Sequence, residues 1–168
     1  MRHTAPNSRS ANLRAINIVV IALTGGCLLT SCGTPLGTGV QAGWAFGKGE
    51  GDYKMGKYDK AEAQFRDTIR ISEDSPVLWM EKAKALVRLG QISEKRGRME
   101  EAENDLDQAL ALFEKNQDSK FIKSNRLKVR TFWIEALHTR SAQLRNKPAT
   151  ASEADTLEAK AKELEAIK

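Results

Sequence analysis

Apolar residues recur along this chain every three or four positions, the spacing that gathers them on one face of a helix. Trp79, Ala83, Leu86 and Gly90 share one side, and Ser75 and Pro76 are placed as N-cap and first helical residue, so a helix is predicted from Pro76 to near Arg96. Ala102, Leu106, Ala109 and Leu110 mark the next helix. Ser119 is placed to cap a stretch without Gly or Pro that reaches about Asn146 and carries Ile122, Val129, Trp133, Ala136 and Leu144 at helical spacing. Pro148 ends it. Ser152 and Asp155 form a capping-box variant before a last helix with the stripe Ala154, Leu157, Ala161 and Leu164. That stripe is too short for a coiled coil and predicts a terminal helix covering the open end of a stack. The fold class is all-α, with no appreciable strand.

Self-comparison adds an internal repeat. Gly49, Tyr53, Gly56, Tyr58, Ala61, Phe65 and Ile69 align with Gly90, Glu94, Gly97, Met99, Ala102, Leu106 and Leu110 at a constant offset of 41, the difference between 102 and 61. Only Tyr53 and Glu94 differ in kind. An antiparallel helix pair approaches closely only where Gly or Ala leaves room, so Gly90 is expected to face Ala102, while Leu106 and Phe65 fill the wider gap between neighbouring pairs. Gly97 is suited to end a helix in the left-handed conformation.

These residues resemble the tetratricopeptide repeat (TPR), a helix-turn-helix unit of about 34 residues. Leu86, Leu89 and Gly90 stand at first-helix positions, Gly97 at the turn, and Ala102, Leu106, Ala109 and Leu110 in the second helix. The first copy departs from the pattern at Thr68, where the family prefers alanine, and lacks its closing proline. The residues beyond the usual period lie around Ile71 to Met80 and extend the following helix backwards. The resemblance implies TPR-like antiparallel helix pairs in a short right-handed solenoid, with repeats at about 42–75 and 83–116 and a divergent third unit at 119–167.

The N-terminus reads as an address. Arg2, Arg9 and Arg14 without an acidic residue precede an apolar run from Ile16 to Leu29, too short to span a bilayer as a helix. Leu29-Thr30-Ser31-Cys32 resembles the lipobox of bacterial lipoproteins, in which the cysteine thiol takes a diacylglycerol, the chain is cut before it, and the new amine is acylated. Cys27 lacks the branched aliphatic residue at the matching position. The alternatives are an uncleaved anchor or an ordinary secretory signal with Cys32 a spare thiol. The lipobox reading gives a signal peptide at 1–31, a lipidated cysteine and flexible linker at 32–41, and a helical domain at 42–168. No cofactor is expected beyond the diacylglycerol and acyl chain on Cys32. Gly33 to Gly51 holds seven of the twelve glycines, and Gly33 to Gln41 is read as a leash of high backbone entropy, with Trp44 and Phe46 opening the first helix.

Cleavage would change both cysteine and charge accounting. Removing 31 of 168 residues leaves 137, a length for one domain, and leaves no thiol for a disulfide or metal. Three of the 27 basic residues leave with the signal, so 24 basic residues stand against 22 acidic ones, and the whole-chain charge of +5 falls to +2. That balance does not call for nucleic acid.

Charge is instead distributed unevenly. Residues 119–147 carry a local balance of +7, whereas 99–118 carry −6. Neighbouring helices of opposite sign attract; alternatively Lys123, Arg126 and Arg130 form a basic surface for anionic lipid or cell-wall glycan. Catalytic constellations are lacking: His138 is the one histidine after the signal, Glu100 and Glu101 suit a helix start, and Gly47, Gly49 and Gly51 precede no phosphate-loop lysine. The chain is not expected to be an enzyme.

By the TPR resemblance, a partner would lie on the concave face formed by first helices, where Lys84, Arg88, Gln91 and Lys95 share a side. Val87 and Gln91 stand where the family's carboxylate clamp needs lysine and asparagine, so no C-terminal carboxylate is expected there. The sequence reading is therefore a lipid-anchored interaction scaffold of the bacterial envelope, sorted to the outer membrane because Gly33 rather than aspartate follows the cysteine, and binding an envelope protein or peptide.

Overall fold

A computed structural model of the protein describes residues 35–167, and the packed unit runs from Thr38 onward. The signal peptide, Cys32 and Gly33 lie outside the described residues. The helices are α1 (Pro35–Lys54), α2 (Tyr58–Ser72), α3 (Trp79–Lys95), α4 (Met99–Lys115), the single turn α5 (Lys120–Lys123), α6 (Val129–Arg145) and α7 (Ala151–Ala166). Short 3₁₀ turns at Pro76–Leu78, Arg126–Lys128 and Pro148–Thr150 lead into α3, α6 and α7. Among the described residues there are helices and no strands.

The offset of 41 is a three-dimensional equivalence. Gly56 and Gly97 end α1 and α3 at φ +71° and +72°. At each turn the same bonds form: Gly56 N–H donates to Tyr53 O and Lys57 N–H to Asp52 O, as Gly97 does to Glu94 and Arg98 to Ser93. This pair of bonds closes a helix end with its carbonyls satisfied, and glycine takes the positive φ without a side-chain clash.

The close approaches also coincide. A β-carbon on Gly49 would stand 2.7 Å from the Phe65 ring, and one on Gly90 would stand 2.8 Å from Leu106 Cγ and 3.2 Å from Ala102 O. Phe65 and Leu106 therefore each seat on the glycine of their own pair. Thr68, the departure from the family pattern, is fully buried like its counterpart Ala109, and its hydroxyl donates to Gln64 O at 2.8 Å.

α3 lies at the centre, packed against α2, α4 and α6. Its buried residues include Ala83, Ala85, Leu86, Val87, Leu89 and Ile92, which cover nearly its whole circumference. A helix apolar on most sides is a core helix. Aromatic side chains join the layers: Phe46 of α1 meets Phe65 and Phe132, each at 5.6 Å between centroids, and Trp133 of α6 stacks on Phe113 of α4 at 5.8 Å. Ala154, Ala161 and Leu164 seat α7 against α6 as the terminal cover.

Four expectations need correction. The leash is helical from Pro35, because buried Ala42, Ala45, Phe46 and Gly49 give α1 an inner face that offsets its poor propensity. The stretch 119–146 is broken: Asn125 and Lys128 take φ +47° and +57°, and the Asn125 carboxamide accepts a bond from Thr131 N–H. Ser119 does cap, accepting from Phe121 N–H, but only the short α5. Neither Ser75 nor the Ser152 capping box operates: Ser75 makes no side-chain cap bond, and α7 starts at Ala151 with Ser152 inside it.

Candidate functional site

α1, α3 and α6 present the face formed by first helices, and Arg88 is its centre. From the middle of α3 its guanidinium donates to Glu50 of α1 and Glu135 of α6, both at 2.5 Å, and to Gln91 Oε1 at 2.8 Å. It also lies 4.5 Å from the Phe132 ring and 5.2 Å from that of Tyr53. Tyr53 donates to Gln91 Oε1, and the Gln91 amide donates to Glu135. Arg88, Glu50, Tyr53, Gln91 and Glu135 are each hydrogen-bonded within this knot, as partly buried polar groups need to be.

The electrostatics follow from that enclosure. The Arg88 side chain is 12% exposed. Burial opposes its charge, but hydrogen bonds and attraction from Glu50 and Glu135 outweigh burial and hold its pKa above the ordinary value. Burial also pushes the Tyr53 phenol up, partly countered by Arg88.

The expected polar row is thus divided. Lys84 is 7% exposed, with its ammonium 4.7 Å from the Phe46 ring and 3.4 Å from Glu81. Lys84 and Arg88 are therefore not the exposed side chains the helical spacing predicts: α1 and α6 close over them. Gln91 is half-buried and Lys95 is exposed, so these two are the members of the row that solvent reaches.

The basic segment is likewise partly spoken for. Arg140 of α6 pairs with Asp107 at 2.8 Å and Glu103 at 3.4 Å of α4, and Lys147 also binds Glu103. Opposite charge on neighbouring helices is used internally there. Lys123 pairs with Asp118, while Arg130 reaches only the Lys123 carbonyl at 3.5 Å and Arg126 is exposed. His138, unremarkable in sequence, bridges Glu158 and Glu165 of α7 at 3.1 Å each. Hydrogen bonding to Glu165, then to Glu158, holds its pKa above the ordinary value despite some burial.

Sequence reasoning missed Glu50 and Glu135. Each carried a faint signal: Glu50 is the repeat counterpart of Gln91 at the same offset of 41, and Glu135 is the lone acid in a strongly basic stretch. Among the described residues no group of three His, Cys, Asp or Glu side chains is placed to hold a metal, and no helix is long and apolar enough to cross a membrane.

Residues 83–116 match the tetratricopeptide repeat family model. The match spans α3 from Ala83 through the end of α4, the better of the two copies. No curated protein and no solved structure matches the chain. The paired helices give an all-α TPR-like architecture of the kind that serves as a protein-interaction scaffold.

Proposed function

We propose that the protein is a lipid-anchored adaptor of the bacterial envelope, held by diacylglycerol and acyl chains on Cys32 and binding a protein or peptide partner on the α1-α3-α6 face. The observation that carries the binding role is the equivalence of the two helix pairs, turn for turn and glycine for glycine, in a chain whose stronger copy matches the tetratricopeptide repeat. Repeats of this form expose a face built from successive first helices, and here Gln91 and Lys95 are its accessible polar groups. Lys84 and Arg88 support that face from within.

The anchor rests on the order basic segment, apolar run, Leu29-Thr30-Ser31-Cys32, and with it goes placement on the periplasmic side of the outer membrane. Two measurements test the reading. Cys32→Ala should abolish lipid labelling while Cys27→Ala leaves it intact; labelling that survives the loss of Cys32 refutes the anchor. Lys95→Glu should release the envelope partner without changing the melting temperature, because an exposed substitution usually alters stability by under about 0.5 kcal/mol. Retention of the partner by that variant counts against the face.

A further inference from the structure

α1 is apolar on two sides, and only one is covered. Ala42, Ala45, Phe46 and Gly49 face the core, whereas Val40 and Trp44 are 74% and 70% exposed. The other large apolar side chains exposed among the described residues, Met55, Val77, Met99 and Ile167, lie at helix ends or in turns. Val40 and Trp44 instead sit one turn apart within a regular helix, and Lys48 continues the same line, its ammonium 5.6 Å from the Trp44 ring.

We propose that the Val40-Trp44-Lys48 line of α1 rests on a phospholipid bilayer surface. The chemistry of the three residues, all on one line of the helix, carries the choice of occupant: an aliphatic group and a tryptophan suit the boundary between acyl chains and headgroups, and a lysine reaches from there to phosphate. No acidic residue occurs from Pro35 to Gly49, so this stretch of α1 brings no negative charge of its own to phosphate, and Glu50 is turned inward to Arg88. Val40 and Lys48 are about 12 Å apart along the axis, and the interfacial zone is only about 5–8 Å deep, so α1 lies along the surface and does not stand on it.

The inference rests on the lipid-anchor reading, because chain length supplies the rest. Val40 follows Cys32 by the difference of 40 and 32, eight residues, a reach of at most about 28 Å even if fully extended. A domain so tethered meets the bilayer continually, and the face nearest the tether in sequence is the uncovered one. With α1 flat on the lipid, the opposite side of α1, which carries Glu50, stays turned to the partner-binding face.

Quenching of tryptophan fluorescence by brominated phospholipid tests this. The full lipidated protein is reconstituted in vesicles with and without phosphatidylcholine brominated near the top of its acyl chains. Trp44 is the exposed tryptophan, while Trp133 is 1% exposed. The expected result is a clear loss of emission in brominated vesicles that falls by more than half in Trp44→Phe and persists in Trp79→Phe. Protein that floats with the vesicles but is not quenched overturns the proposal and leaves the anchor standing; if it then sediments as a dimer, a second copy covers the line. Quenching unchanged in Trp44→Phe also overturns it. Protein without lipid that stays out of the vesicle fraction overturns both this inference and the anchor.

Discussion

At Gly49 and Gly90 a hydrogen in place of a methyl decides whether two helices can meet. Glycine inside a helix normally costs roughly 1 kcal/mol relative to alanine. Gly43, where an added β-carbon would meet nothing within 4 Å, should show that cost, so Gly43→Ala should raise the melting temperature. Gly90→Ala should lower it, because Leu106 Cγ at 2.8 Å and the Ala102 carbonyl at 3.2 Å block the methyl. Equal gains from both would mean that the α3-α4 contact is looser than described. Ala102→Leu belongs to the same contact and should cost about 1–3 kcal/mol by overpacking a fully buried site. Glu103 is no neutral control for it, since it holds Arg140 and Lys147; exposed Ala111 serves instead. Asp105 offers a test in pH: burial raises its pKa from 3.8 to about 6, so its ionised form is disfavoured in the fold. The penalty is full above pH 6 and disappears as pH falls toward 4. Asp105→Asn should therefore stabilise the protein in thermal melts near pH 7.5, with the gain vanishing near pH 4.

Between elements, the informative joints are α6 on α7 and α1 on α6. Hydrogen bonds to Glu165 and Glu158 favour the protonated form of His138, and a raised folded pKa means that its contribution is full below about 6.5 and lost as pH climbs through the folded value. His138→Gln should lower the melting temperature at pH 6, and the loss should shrink as pH rises through the folded value of the imidazole. Its half-exposed position keeps the effect modest. Arg88 joins three helices, and Arg88→Met should strand Glu50 and Glu135 and cost about 3 kcal/mol, the low end for breaking a buried pair because Glu135 retains 35% exposure. Charge reversal there disrupts the fold and cannot report on binding. These joints explain which elements were legible in the chain. α3 and α4 announce themselves by periodicity and by Gly97 at the turn between them, and α7 by its stripe. The break at Asn125 was hidden because asparagine's left-handed tolerance leaves no mark on hydrophobic spacing, and the start of α1 was hidden because its six glycines read as a linker.

For the whole molecule, the repeat was readable because equal positions need equal side chains, and the glycine, alanine and large apolar triplets of both copies occupy equal places. The closure of the α1-α3-α6 face was not. It depends on Glu50, Arg88 and Glu135, residues 38 and 47 positions from one another along the chain, and no local pattern records which charges meet. A row of polar side chains at helical spacing therefore looked exposed when half of it, Lys84 and Arg88, was covered. The central claim is that the accessible end of this face, at Gln91 and Lys95, is where a partner docks. Photocrosslinking in intact cells, with the reactive group placed at 91, 95 or, on exposed α4, 114, tests it most directly. The account predicts one common envelope protein captured from 91 and 95 and not from 114; capture from 114 with none from 91 or 95 would contradict it.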